Sequence, residues 1–240
     1  AVVKAVVDFV RSHRVQGGGL VTEGGAPVTI GDVKAFIRLE LARVNLAEPH
    51  ENIFSQGRDA GVPHNRGDYG AQLRLGEPIV FDIFPRDREP GYFHDMTRTF
   101  CLGHAPDHVA RAYDEVKAVF DRVMAELKVG EPCIRFQQLA CELFAAGGHK
   151  TILEMPGTQE GYVHSLGHGV GLDVHEGPTL STMPSNTAVL RPGNVVTVEP
   201  GLYYPDDGWG VRIEDTVAFD ADGRLVDLTD YPYDLVVPMG

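Results

Sequence analysis

Two stretches of this chain follow one plan: helices, a turn marked by Gly or Pro, then a pair of strands that each carry an acidic residue. In the first stretch the segment through His13 has helical periodicity, which Gly17, Gly18, Gly19, Gly24 and Gly25 interrupt. Thr29 or Asp32 is placed to cap a second helix through Phe36, Ile37, Leu39, Leu41 and Val44. Leu75-Gly76-Glu77-Pro78 turns into a buried strand, Ile79 to Phe84, and a second strand is predicted from Tyr92 to Leu102. The second stretch begins at Pro106, where Val109, Tyr113, Val116, Phe120, Val123 and Leu127 recur at helical spacing until Gly130 ends the helix. A further helix runs from about Phe136 to Ala146, up to Gly147-Gly148. Arg191-Pro192-Gly193 then leads into a strand from Asn194 to Val198, a loop from Gly201 to Gly210 and a strand from Val211 to Phe219.

The repetition matters because of where it places charge. Asp82 and Asp95 sit on the first strand pair, and Glu199 and Glu214 take the corresponding places on the second. A single carboxylate at a strand end is normally a solvated turn residue. Two similar strand pairs packed together would instead bring all four carboxylates to one spot, where each raises the others' pKa unless cations intervene. A pair of divalent metal ions is the simplest remedy.

Histidine usage points the same way. An even spread of ten histidines over 240 residues would put about half of one in any twelve positions, yet His164 to His175 holds three, at 164, 168 and 175. Gly167, Gly169 and Gly171 make a stable helix there unfavourable, so an irregular or extended segment is predicted, with the glycines allowing close backbone approach to a ligand. The glycine spacing is not that of a dinucleotide fingerprint, and no phosphate-binding loop motif occurs.

Composition removes other classes of function. Asp and Glu exceed Lys and Arg by 34 to 21, a net charge of -13, which is the wrong sign for neutralising nucleic-acid phosphates. With 43% hydrophobic and 23% charged residues the chain has the makings of a folded core. No apolar run reaches the roughly 20 residues needed to span a bilayer, and no signal peptide is evident, so a cytoplasmic setting is predicted with no membrane partner. Cys101, Cys133 and Cys141 are odd in number and lack Cys-x-x-Cys spacing, which argues against a disulfide framework or zinc-thiolate site. The chain opens with Ala1 inside an apolar helical pattern without an initiator Met, which reads as part of a longer chain with a domain upstream.

Taken together, Phe81-Asp82, the segment from Gly91 to Phe100, the segment from Gly167 to Glu176, Thr197-Val198-Glu199-Pro200-Gly201 and Gly210-Val211-Arg212-Ile213-Glu214-Asp215 resemble the dinuclear metallopeptidases of the pita-bread fold. The wording Gly-Leu-Asp-Val-His-Glu, from Gly171 to Glu176, is closer to the Xaa-Pro branch than to the methionine aminopeptidases. The resemblance implies an α+β fold of two pseudo-symmetric halves, each of helices plus antiparallel strands, with residues 1–240 as a single catalytic domain. It implies that Asp82 is a bidentate ligand of one metal, that Asp95 and Glu214 bridge two, and that His168 and Glu199 complete the other shell. Four carboxylates against two divalent ions balance in charge, and oxygen-rich coordination with one imidazole favours Mn²⁺, with Co²⁺, Zn²⁺ or Fe²⁺ as substitutes.

The activity so implied is exopeptidase cleavage between an N-terminal residue and proline in a peptide or dipeptide. A hydroxide bridging the metals attacks, Glu199 shuttles the proton, and His164 and His175 stabilise the oxyanion and orient the substrate. His64 is expected to contact the leaving side, and Arg212 to hold a ligand carboxylate with its guanidinium fork. An Xaa-Pro bond has no amide proton to grip, so polarisation by a metal suits it. The alternatives are a methionine-type aminopeptidase and a non-catalytic peptide-binding module, although all five candidate ligands are present. A homodimer is implied by resemblance alone. Departing from the family pattern, Asp82-Ile83-Phe84-Pro85 replaces Asp-x-Gly, and Asp95 follows Asp82 by thirteen positions, which reads as a small insertion.

Overall fold

The computed structural model describes residues 1–89 and 91–240. Its helices are α1 (Val2–Arg11), α2 (Ile30–Arg43), α3 (Asp107–Glu126) and α4 (Cys133–Ala146). Of the two candidate caps for α2, Thr29 is the cap. Its hydroxyl accepts from the Asp32 N–H, and the Asp32 carboxylate accepts from the Thr29 N–H, so the two residues satisfy each other's orphan donors. The strands of the first half are β1 (Arg14–Gln16), β2 (Gly19–Val21), β3 (Leu46–Ala47), β4 (Ile53–Gln56), β5 (Pro78–Ile83), β6 (Arg86–Asp87) and β7 (Met96–Leu102). Those of the second are β8 (Gly167–Gly169), β9 (Glu176–Leu180), β10 (Val195–Val198), β11 (Gly201–Tyr204), β12 (Trp209–Arg212), β13 (Asp215–Phe219), β14 (Leu225–Asp227) and β15 (Val236–Val237).

Two principal sheets result, one ordered β15-β7-β5-β4 and the other β14-β13-β10-β8-β9. Each half packs its own core. Val6 and Val10 of α1 and Val33 and Ile37 of α2 are buried with Phe81 and Phe100, while Val116 and Phe120 of α3 and Phe136 and Phe144 of α4 are buried with Val196 and Val217. The sheets meet at a seam centred on Thr97 and Glu214. Glu214 N–H donates to the Thr97 carbonyl at 3.1 Å, and Thr97 N–H returns a longer bond of 3.4 Å to the Glu214 carbonyl. Because Asp82 lies opposite Thr97 in the β5–β7 register and Val198 opposite Asp215 in β10–β13, this seam gathers the acidic ends of both strand pairs.

The sequence patterns and the structure part company in three places. The predicted strand from Tyr92 pairs regularly only from Met96, because the Phe93 and His94 N–H groups donate instead to the carbonyls of Gly171 and Pro85. The stretch read as an insertion supplies β6, which pairs with β3; Pro90 within it lies outside the described residues. The predicted strand from Val211 to Phe219 is two strands. The chain changes partner at Ile213-Glu214: β12 pairs with β11 in a hairpin, so Gly201 to Gly210 is no simple loop, and β13 pairs with β10. Among the described residues no helix is long and apolar enough to cross a membrane.

Candidate active site

A cleft of about 690 Å³ opens over the seam and is lined by Asp82, Asp95, His168, Glu199 and Glu214 together with His64, His164, His175 and Arg212. The fold brings all nine sequence-selected residues to one cavity. Asp82 comes from β5, Asp95 immediately precedes β7, His168 is the centre of β8, Glu199 follows β10, and Glu214 sits at the break between β12 and β13. Asp95, His168 and Glu214 each offer a ligand atom within 4.8 Å of the others. His168 Nε2 is 3.4 Å from Glu199 Oε1 and 3.8 Å from Asp95 Oδ2. Gly167 and Gly169 serve the sheet rather than a ligand: a Cβ on Gly167 would fall 2.0 Å from the Thr197 carbonyl oxygen of β10, and one on Gly169 would fall 2.5 Å from that of Gly177.

The electrostatics call for positive charge. Burial raises all four carboxyls: Asp95 and Glu214 lie well above the carboxylate range, each raised further by its acidic neighbours, Asp82 is raised, and Glu199 is pushed up to about 8. The Arg212 guanidinium opposes this in all four, helped by the Thr97 hydroxyl at Asp82 and Glu214 and the Thr197 hydroxyl at Glu199. Asp82 Oδ1 and Asp95 Oδ1 are buried with no hydrogen-bond partner. His168 Nδ1 lies 3.1 Å from the Gly169 carbonyl, an acceptor, so the proton sits there and the lone pair of Nε2 faces the carboxylates. Burial holds this imidazole neutral, with a pKa of about 4. Partnerless carboxylate oxygens beside a bare imidazole nitrogen are a donor set that suits divalent cations.

A hydrogen-bonded frame surrounds these groups. Arg212 donates to Asp82 Oδ2 at 2.7 Å, to Thr97 Oγ1 at 3.1 Å, to the Tyr203 hydroxyl at 2.8 Å and to the Pro63 carbonyl at 3.2 Å. Thr97 passes its proton on to Glu214 Oε2 at 2.6 Å. His164 differs from expectation. Its Nδ1 donates to the Ser165 carbonyl at 2.7 Å and its Nε2 accepts from the Tyr203 hydroxyl at 2.8 Å, so no free N–H is aimed at an oxyanion. Desolvation, with Arg212 adding to it, lowers the His164 pKa to about 3. His175, exposed, stands edge-on to His168 with ring centroids 4.2 Å apart, and His64, next to Pro63, is exposed in the cleft lining. Tyr203 and Thr97, both fully buried and central to the frame, were not singled out from sequence because their partners lie on other strands.

The sequence model of metallopeptidase family M24 matches residues 1–221. The chain belongs to metallopeptidase family M24. Among its relatives, this M24 chain is 32% identical over 211 residues to a probable dipeptidase, PepE, of Mycobacterium tuberculosis, covering 86% of this chain and 52% of that protein. It is 32% identical over 185 residues to the Xaa-Pro dipeptidase of Pyrococcus furiosus, covering 76% and 49%. The M24 chain therefore spans about half the length of these curated relatives. Its structure superposes on that of an X-Pro aminopeptidase from Thermotoga maritima with a TM-score of 0.79 at 26% identity, over 98% of this chain and 59% of the other. The α+β architecture of two helix-plus-sheet halves is the pita-bread fold of M24 peptidases.

Proposed function

We propose that residues 1–240 form the catalytic unit of a metal-dependent exopeptidase that cleaves an N-terminal residue from proline in a dipeptide or short peptide. The observation that carries this reading is that Asp82, Asp95, His168, Glu199 and Glu214 line one cleft, with ligand atoms of Asp95, His168 and Glu214 within 4.8 Å of one another and two buried carboxylate oxygens lacking a partner. These residues would hold two divalent cations, with Mn²⁺ favoured by the oxygen-rich set. When bound, such cations supply Lewis acidity to the scissile carbonyl and acidify water. The relatives named as dipeptidases and as X-Pro or Xaa-Pro peptidases support the substrate class. The three cysteines, all buried and free, support the cytoplasmic setting.

The chain's own groups divide the remaining work. Glu199 Oε1 faces His168 and Thr197, which leaves Oε2, 4.0 Å from His164 Nδ1, to accept a proton and return it to the departing proline nitrogen. Arg212 and Thr97 hold Asp82 and Glu214 in place. His175 and His64, exposed on the cleft walls, are free to bind and orient the substrate. His164 keeps the Tyr203 hydroxyl turned away from the reacting atoms. None of these roles needs an amide proton on the scissile bond, so proline is accommodated.

Metal analysis combined with initial rates on Ala-Pro, a longer Xaa-Pro peptide and Met-Ala tests the reading. About two ions per chain and cleavage of the proline peptides are expected. Cleavage of Met-Ala alone would make this a methionine-type aminopeptidase. A chain that takes up no metal and cleaves nothing would be a binding module.

A further inference from the structure

Helix α4 packs Cys133, Phe136, Ala140, Cys141 and Phe144 into the core, yet the same buried face carries Gln137, which has no exposure to solvent. An amide at such a position costs stability unless its polar atoms are matched. Gln137 Oε1 accepts from the Leu166 N–H, and Gln137 Nε2 donates to the His164 carbonyl at 3.3 Å and toward Cys141 Sγ at 3.4 Å. The Leu166 N–H also donates to the Leu180 carbonyl of β9 at 3.0 Å, so the side chain adds a second tie, from α4, to residues 164 to 166 just before β8 begins.

The Leu166 N–H belongs to the same peptide group as the Ser165 carbonyl, and that carbonyl accepts from His164 Nδ1 at 2.7 Å. One continuous chain of bonds follows. The Arg212 guanidinium donates to the Tyr203 hydroxyl, the hydroxyl donates to His164 Nε2, His164 Nδ1 donates to the Ser165–Leu166 peptide, and that peptide donates to Gln137. A second branch leaves the same residue, because the Leu166 carbonyl accepts from the Glu199 N–H at 2.8 Å. Resting on the function proposed above, we infer that Gln137 is a positioning residue: it orients the 165–166 peptide, and through it sets the tautomer and rotation of His164 and the backbone approach of Glu199.

The test is a comparison of kcat and KM for an Xaa-Pro peptide between the metal-loaded wild type, Gln137→Met and Gln137→Glu, each checked for metal content and a cooperative melt. Methionine fills the same volume but leaves the His164 carbonyl without the Gln137 donor and the Leu166 N–H to the Leu180 carbonyl alone, at 3.0 Å, so the 165–166 peptide loses its tie to α4 and kcat should fall by about tenfold or more with KM and metal content little changed. Protonated glutamate retains one acceptor and one donor in nearly the same shape, so at mildly acidic pH Gln137→Glu should stay within about threefold of wild type. A folded, metal-loaded Gln137→Met with full kcat overturns the inference, as does a kcat loss that merely tracks metal loss. If Gln137→Met does not fold, the glutamate variant decides, and a folded, metal-loaded Gln137→Glu that loses more than about tenfold overturns it. An inactive wild type would instead overturn the peptidase reading itself.

Discussion

Thr97 and Glu214 lie 117 positions apart and are joined three times: the Thr97 hydroxyl donates to Glu214 Oε2 at 2.6 Å, the Glu214 N–H donates to the Thr97 carbonyl at 3.1 Å, and the Thr97 N–H donates to the Glu214 carbonyl at 3.4 Å. Thr97 thus joins the two halves at the seam and aims a candidate bridging ligand. Thr97→Val keeps the backbone bond and the volume and removes the hydroxyl. Metal affinity should fall by about 10- to 100-fold, the usual cost of losing a residue that orients a ligand. Titration of the metal-free variant with Mn²⁺ measures this, and unchanged affinity would show that Thr97 does not orient Glu214.

His175 lines the cleft and stands edge-on to the ring of His168, but it is exposed, unlike the buried Asp95, His168 and Glu214. His175→Ala should therefore keep both metals and lose rate, by about 100-fold if the imidazole stabilises charge that develops in the reaction. Metal content and kcat from the same preparation check this together. Loss of metal in parallel with rate would make His175 part of the metal shell.

How much of this site was legible in the sequence depended on how local each signal is. The duplicated carboxylates and the histidine-rich segment each show as a local pattern of residue types, and the Thr29 cap lies within a few residues of its partner Asp32. The break at Ile213-Glu214 was not legible, since a change of strand partner leaves the hydrophobic alternation intact. Nor was the engagement of His164, whose partner Tyr203 is 39 positions away, or the burial of Lys34 in α2, which rests on Glu51 and the Asn52 carbonyl. The glycines at 167 and 169 were correctly tied to close backbone approach, but the neighbour is protein backbone rather than a ligand.

Without metal, the site makes stability depend on pH. The folded chain holds a proton on Glu199 up to about 8, against 4.5 for the ordinary group, so stability falls as pH rises through that window. His164 and His168 act oppositely: lowered from 6.5 to about 3 and about 4, they cost stability as pH falls below 6.5. Between pH 6.5 and 8 the two imidazoles no longer oppose Glu199, which should cost the metal-free chain up to roughly 1.4 kcal/mol per pH unit, the slope easing as pH approaches 8. Saturating Mn²⁺ should flatten this slope. Denaturant unfolding with and without metal across that range is the measurement, and a metal-free chain whose stability rises with pH would contradict it.

Arg98 links the seam to the C-terminal segment. Buried, it pairs with Asp215 at 2.8 Å and donates to the carbonyls of Thr97, Glu214, Tyr231 and Pro232. Arg98→Met leaves Asp215 as an uncompensated buried acid and should cost about 3–5 kcal/mol in denaturant unfolding. A loss below about 1 kcal/mol, the worth of a surface pair, would show that the network is dispensable.

The central claim is that both strand pairs deliver their carboxylates to one dinuclear centre. Crystals soaked in Mn²⁺ and measured for anomalous scattering test it most directly. The account predicts two peaks in the cleft, both contacted by Asp95 and Glu214, with Asp82 on one and His168 and Glu199 on the other. A cleft without anomalous density, or peaks whose nearest ligands exclude these carboxylates, would contradict it.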